Sequence, residues 1–421
     1  MIDGEAPEKP PAHRPLEGVL VVDLSRYLPG PLTSRLLGDL GARVIKIEEP
    51  KLGDPTRQAP PLVEAGGRSS LTDLLLTGHE SVALDIKKPM ARDLLEELLM
   101  SADVMIESLR PGTLAEAGLD PAELRRLYPR LIACSVSGWG QDGNYAWRAG
   151  HDLAYQAVAG SLAAGGGMPA VQSADLVGGW SAALAITSAL HRRHLTGEGC
   201  WIDQALLDAA GHASITALAA EADGPKAVAQ PLMLTGALAG YDLYRTRDGG
   251  TLALAALEPK YWRRWCLALG RRDLVLKQAS SSPEVARQVA ELVASKSREE
   301  WADFLAEHDV PGEPVLSVSE SLEHPQVRHR AYAWRTPDGP LRLGYPAKID
   351  GERPRTEGEA PGLGEHTDAV ISEFSLGGAA LGGGLSRRRG GVGQRFSWRR
   401  LAGRVAGKWA QGRRGEPDPE D

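Results

Sequence analysis

His151 and Asp152 stand side by side, and a second aspartate, Asp175, follows in front of an apolar helical pattern. The stretch that joins them, RAGHDLAYQAVAGSLAAGGGMPAVQSAD from Arg148, passes through a short helical segment and a glycine-rich connection. Imidazole and carboxyl groups are the side chains best suited to moving protons, and each one that is well placed contributes about 10²- to 10⁴-fold to a rate. The spacing predicts two proton-handling groups on either side of one connection. A lone His-Asp pair is more often a structural hydrogen bond, so the surrounding elements must decide. The glycines from Gly165 to Gly167 are not followed by Lys-Ser/Thr, which argues for a flexible connection rather than a phosphate loop. His191 and His194 share a helix face, but no third ligand is near in sequence and no metal site is expected.

The elements that must position this pair read as a parallel α/β domain. Gly18 to Leu24 (GVLVVDL) is a β-branched run; Leu32, Leu36, Leu37 and Leu40 follow at helical spacing after Pro29-Gly30-Pro31; and Arg43 to Ile47 is the next strand. That order is a βαβ unit, whose ligand edge lies at the C-terminal ends of the strands. No GxGxxG follows the first strand, so a dinucleotide site has little support. Ser81–Ile86, Met90–Met100 and Val104–Glu107 repeat the pattern, and Asp120–Leu127 with Leu131–Val136 repeats it again. Val177–Leu195 reads as a long apolar helix closed by TGEG, and Trp201–Ala219 as a strand-like start leading into a helix.

Beyond about Ala220 the chain becomes short-residue and proline-punctuated, the mark of a linker. Tyr241–Leu257 alternates in strand fashion around Arg247-Asp248-Gly249-Gly250, and Lys260–Leu269 and Pro283–Ala306 read as helices. The expected organisation is a disordered lead-in over 1–15, a large Rossmann-like α/β domain over 16–220, a linker and smaller α+β domain over 221–330, a return to the large domain over 331–375, and a Gly/Arg-rich tail over 376–421.

Composition narrows the function classes. Of 421 residues, 42% are hydrophobic and 24% charged, ordinary for a globular enzyme. The net charge of -7 conceals a basic tail, since residues 386–414 hold nine arginines and Lys408 with no acid. The main body is therefore acidic, and nucleic acid is not expected as a partner. Cys134, Cys200 and Cys266 form no CxxC or Cys/His cluster, which fits a reducing cytoplasmic setting, with Cys134 a packing residue. The acidic, proline-rich start does not read as an export signal, and no apolar run reaches the length of a membrane span. In the tail, Trp398, Leu401, Val405 and Trp409 fall at helical spacing among arginines. Such a segment suits an anionic membrane surface; an unfolded solubilising tail is the favoured reading.

The motifs carry a resemblance. GVLVVDLSRYLPGPLTSRLLGDLGARVIKIEEP, SVALDIKKP, IESLRPGTLAEAGLDPAEL, RLIACSVSGWGQDGNYAWRAGHD, ADLVGG, LTGEGCWIDQALLDA, YRTRDGGTLALAALEPKYW and LGEHTD, in that order over roughly residues 16–372, resemble the family III CoA-transferases of the CaiB/BaiF type. That superfamily includes the α-methylacyl-CoA racemases, to whose branch the motifs are nearest. The resemblance implies a CoA-binding large domain, acyl-CoA thioesters as substrates, a homodimer whose chains interlock, and no cofactor beyond the CoA of the substrate. It implies that His151 and Asp175 are acid and base, that Glu258 in ALEP lies against the site, and that Tyr155 lines the pocket. The developing enolate needs donors, worth about 3 to 4 kcal/mol each in other enzymes, and the amide of Asp152 at a helix start is the candidate. Lys46, Lys87 and Arg110 are candidate contacts for the CoA phosphates or adenine.

Three reactions follow from that kinship. Racemisation at the α-carbon uses His151 and Asp175 on opposite faces. CoA transfer instead uses Asp175 as a nucleophile that forms an acyl-aspartyl anhydride. Formyl-CoA-type transferases usually lack the histidine and carry a run of glycines where this chain has Leu234-Thr235-Gly236-Ala237-Leu238-Ala239-Gly240, which favours racemisation. GHDLAYQA departs from the racemases' GHDINY toward the transferases. Glu49 and Glu116 stand where relatives often have arginine, so a noncatalytic CoA-thioester-binding protein is the third reading.

Overall fold

The computed structural model describes residues 14–60, 62–63, 68–116, 119–165, 167–224, 233–335 and 339–375. The tail over 376–421, most of the lead-in and most of the linker lie outside the described residues.

The large domain is built from β1 (Leu20–Leu24), α1 (Pro29–Asp39), β2 (Arg43–Glu48), β3 (Glu80–Ala83), α2 (Pro89–Ser101), β4 (Val104–Glu107), α3 (Pro121–Leu127), β5 (Ile132–Ser137), α4 (Asp152–Val158), α5 (Ser173–Thr196), β6 (Cys200–Ala205), α6 (Leu206–Ala213) and α7 (Ile215–Ala222). Its six strands run in the order β3-β2-β1-β4-β5-β6, all parallel. The order reverses between β1 and β4, where Val22 pairs with Met105, which makes this the switch point of the sheet.

Side chains alternate across the sheet, so each strand feeds two cores. Val21, Val44, Ile106, Ile132 and Cys134 face α1 and α5 through Leu36, Leu37, Ala182 and Ile186. Val22, Ile45, Met105 and Ala133 face α2 through Leu94, Leu95, Leu98 and Leu99. Buried on both faces, these strands read as near-continuous apolar runs. Helix α5 can lie close to its neighbours because it carries Gly178 and Gly179: a Cβ on Gly179 would meet the carbonyl oxygen of Pro29 at 2.9 Å, and one on Gly178 would overlap Leu206. Among the described residues no helix is long and apolar enough to cross a membrane.

The smaller domain pairs β7 (Tyr241–Arg245) and β8 (Thr251–Ala255) antiparallel, with helices α8 (Pro259–Ala268), α9 (Pro283–Val293) and α10 (Arg298–Glu307) and a third strand, β9 (Gly312–Pro314), against β8. Its core stacks Trp262 on Trp265 at 5.2 Å and Trp265 on Trp301 at 6.5 Å between centroids. The helix expected over Pro283–Ala306 is two helices. Ser297 starts α10 with a capping box closed by Glu300, and S-x-x-E at this point of the sequence is the stop-and-restart signal. The chain then adds α11 (Thr367–Ser375), whose Val370 is buried in the α2-side core of the large domain, while Arg43 joins Glu373 at 2.7 Å.

Candidate active site

Two loops meet at the switch point between β1 and β4. The amide of Arg26 donates to Ser108 Oγ at 2.8 Å, tying the loop after β1 to the loop after β4. Under the first loop lies a buried charge network. Asp23 Oδ1 accepts the Ser25 amide at 2.7 Å, its Oδ2 accepts Ser34 Oγ at 2.6 Å, and Lys46 Nζ reaches Asp23 at 3.2 Å and Asp54 at 3.4 Å while donating to the Ser25 carbonyl. Burial alone would raise the Asp23 pKa, but Lys46 and the two serine hydroxyls outweigh it and hold Asp23 below the usual range. His79, buried beside Ser34, is pushed down to about 4 chiefly by burial.

This corrects one expectation. Lys46 has no exposed surface and its ammonium is spent on two buried carboxylates, so it holds the loop and has nothing to offer a phosphate. Lys87 and Arg110 are exposed, beyond the C-terminal ends of β3 and β4. Arg110 rims a pocket of about 180 Å³ lined also by Glu107, Gln141, Trp147 and Trp201, in which burial raises the Glu107 carboxyl to about 7. Glu49 does not face outward as a free charge; its carboxylate accepts the amides of Lys51 and Leu52 at 3.0 and 2.7 Å and closes the turn after β2. Glu116 is exposed.

The residues of the GHD stretch form one cluster. His151 is the N-cap of α4, in extended backbone, and its imidazole is exposed. Asp152, buried, turns its carboxylate to the start of α5, where Oδ1 accepts the amides of Ala174 and Asp175 at 2.8 and 3.2 Å. The N-cap residue of α5, Gln172, supplies no side-chain cap, so Asp152 satisfies donors that the helix start would otherwise leave open. Its second oxygen accepts Gln156 Nε2 at 2.6 Å. One carboxylate thus fixes the backbone of Asp175 relative to the turn that carries His151.

Asp175 itself is half-buried, and burial, followed by the charge of Asp152, raises its carboxyl to about 7. Tyr155 is buried with its phenol pushed up to about 12, first by burial and then by Asp175 and Asp152. Its ring meets Trp139 edge-on at 4.9 Å and slots between Gly138 and Gly150, where any Cβ would collide with it. The glycine of the GHD triplet is therefore required by the close approach of Tyr155.

Glu258 is not part of this cluster within one chain. It starts α8 in the smaller domain, exposed, with its carbonyl accepting the amides of Tyr261 and Trp262. Among the described residues no hydrogen bond or ion pair joins it to His151 or Asp175. Sequence reasoning missed Tyr27, which meets the imidazole of His151 edge-on with 6.1 Å between ring centroids, and Glu107 in the pocket. Tyr27 lies three residues beyond the end of β1 and Glu107 is the last residue of β4, the strand end at which a βαβ unit presents ligand contacts.

Comparison with known proteins agrees with this architecture. The sequence profile of CoA-transferase family III matches residues 16–367. The chain belongs to the family III CoA-transferases. Within this family it is 31% identical over 382 residues to the α-methylacyl-CoA racemase of Homo sapiens, covering 86% of this chain and 94% of that one. It is 34% identical over 388 residues to the succinate–glutarate CoA-transferase of Agrobacterium fabrum, covering 86% and 96%. A CaiB/BaiF family protein from Brucella suis has a crystal structure that superimposes with a TM-score of 0.75 at 30% identity, covering 86% of this chain and all of that one. As a family III protein, this chain is an enzyme of the racemase and CoA-transferase kind. Relatives with both activities stand at similar identity, so the choice between them rests on the site.

Proposed function

We propose that the protein racemises or epimerises 2-methylacyl-CoA thioesters by proton transfer at the α-carbon. The observation that carries this is the geometry of the cluster: Asp152 Oδ1 accepts the Asp175 amide and so ties the start of α5 to the turn bearing His151, with burial raising the Asp175 carboxyl to about 7. A group that is half protonated near neutral pH serves equally as base and as conjugate acid. CoA transfer needs Asp175 as a carboxylate and asks nothing of the histidine beside it.

In the reaction, one of the pair removes the α-proton and the C–H electron pair becomes the enolate double bond, with charge moving to the thioester oxygen. The other group, protonated and on the opposite face, returns a proton to carbon and the carbonyl re-forms. The enolate oxygen is taken by the amide of Asp152, for which no acceptor is present among the described residues. Tyr155 lines the acyl pocket, Glu258 bounds the site from the smaller domain, and Lys87 and Arg110 meet the nucleotide end of CoA. Nothing but the thioester is consumed. The enzyme acts in the cytoplasm, its three cysteines free, as a homodimer that covers Leu184, Ile215 and Leu218, all exposed on α5 and α7.

The test is proton exchange. With a 2-methylacyl-CoA in deuterated water, the α-hydrogen exchanges without any added acceptor; His151→Ala abolishes the exchange of one epimer, Asp175→Ala that of the other, and each abolishes racemisation. A second reading, CoA transfer to a carboxylic acid through an aspartyl anhydride on Asp175, is favoured by the 34% identity to a CoA-transferase. It is adopted instead if exchange is absent and CoA moves only when a carboxylate is supplied, with loss in Asp175→Ala and tolerance of His151→Ala.

A further inference from the structure

Tyr27 crosses the switch point in a backbone conformation that L-residues avoid, with φ at +66°. Such a conformation persists only where the surroundings over-determine it, and here they do. Before it, Ser25 is held by Asp23 and Lys46, and Arg26 by Ser108. The Tyr27 amide itself donates to Asp54 Oδ1 at 3.3 Å, an oxygen also fixed by the amide and hydroxyl of Thr56 at 2.9 and 2.8 Å. After it, Gly30 approaches Ser25 so closely that a Cβ would overlap it.

The strain is not used to fill a core. The Tyr27 side chain remains 53% exposed, and the ring contact it makes is with His151, at 83° between planes. That contact matters because, among the described residues, no hydrogen bond holds the imidazole. A histidine that serves one face of a substrate must be oriented by something, and an exposed imidazole without a partner rotates.

We propose that Tyr27 is the positioning residue of His151: the buried Asp23–Lys46–Asp54 network forces the loop into its left-handed turn, and the turn sets the phenol ring against the imidazole and fixes its direction. This rests on the racemase reading, in which His151 serves one epimer and Asp175 the other. A perpendicular arrangement of the two rings is the favoured one for such a pair.

The experiment follows the initial loss of α-deuterium, in ordinary water, from each of the two epimers of an α-deuterated 2-methylacyl-CoA. The epimer served by His151 is the one whose loss disappears in His151→Ala. Tyr27→Leu slows that epimer about 10-fold or more and leaves the other within about twofold, and Tyr27→Phe, which restores the ring, restores the ratio of the two rates. Equal slowing of both epimers, or no slowing of either, overturns the proposal. A wild-type enzyme that releases deuterium from neither epimer overturns the racemase reading itself and the proposal with it. Tyr27→Gly separates strain from contact: it raises the melting temperature, read without substrate, by about 1 to 3 °C, while slowing the His151-served epimer as Tyr27→Leu does. A melting temperature that falls instead refutes the imposed left-handed turn.

Discussion

The carboxylate of Asp152 accepts the backbone amide of Asp175 at 3.2 Å, and that of Ala174 at 2.8 Å, so the start of α5 is capped by the first residue of α4. The same carboxylate is the charge that, after burial, keeps the Asp175 carboxyl near 7. Its two roles can be separated. Asp152→Asn keeps an oxygen for the α5 amides and removes the charge, so the Asp175-dependent limb of the pH–rate profile for α-proton exchange moves to lower pH while the fold is retained. Asp152→Ala removes the cap as well and lowers unfolding stability by about 1 to 2 kcal/mol, read by denaturant titration.

Asp175 also sets a pH dependence of stability. The folded chain keeps its proton up to about pH 7, whereas an unfolded aspartate loses it at the ordinary 3.8. Below that lower value both states are protonated and the fold has its full stability. Between the two values the unfolded chain releases the proton first, so stability falls as pH rises toward 7 and is level above it. Asp175→Asn removes this dependence and is more stable than wild type at pH 8 by roughly 1 to 3 kcal/mol. Equal stability of the two proteins at pH 8, by thermal or denaturant unfolding, would refute the raised carboxyl.

The glycine before His151 is tested by overpacking. A Cβ on Gly150 would lie 2.6 Å from Tyr155 Cε1 and 3.1 Å from Trp139 Cζ2. Gly150→Ala therefore destabilises by about 1 to 3 kcal/mol, and adding Tyr155→Leu relieves part of that loss. A double-mutant cycle reads the coupling; simple additivity of the two changes would show that Tyr155 is not what the glycine accommodates.

Much of this was legible in the sequence, and the failures have a common cause. The strands and helices of the βαβ repeats are marked by local pattern, as in GVLVVDL and the leucines after Pro31, and the pairing of the GHD stretch with Asp175 is marked by residue type. Lys46 was misread because its partners are not local: Asp23 is brought beside it by strand register, and Asp54 by the loop after β2. A lysine between isoleucines carries no sign of whether its ammonium ends in water or in a buried ion pair. Tyr27 was missed for a similar reason, since a left-handed tyrosine is the product of a network assembled from β1, β2 and the Asp54 loop. Asp152 was assigned to its amide, whereas its carboxylate proved to be the link between the two helix starts.

Glu258 separates a chemical role from a structural one. It is exposed and gives no side-chain cap to α8, so Glu258→Gln changes unfolding stability by no more than about 0.5 kcal/mol. On the proposed reading, in which Glu258 bounds the site, Glu258→Gln nevertheless lowers α-proton exchange by about 10-fold or more. Unchanged exchange in this variant removes Glu258 from the site.

The reassignment of Lys46 makes an opposite pair of expectations for the CoA end. Lys46 is fully buried between Asp23 and Asp54, both also fully buried, and removing one partner of such a set leaves uncompensated charge in the interior. Lys46→Met should lose roughly 3 to 5 kcal/mol of stability, and at a temperature where it remains folded its KM for the acyl-CoA should stay within about twofold to threefold. Arg110, exposed at the rim of the pocket after β4, has no buried ion-pair partner among the described residues. Arg110→Ala should leave unfolding unchanged within about 0.5 kcal/mol and raise KM, with the difference from wild type shrinking as salt screens the phosphates. Should Lys46→Met instead raise KM with stability intact, the lysine reaches the ligand after all and the buried network is not what holds the loop.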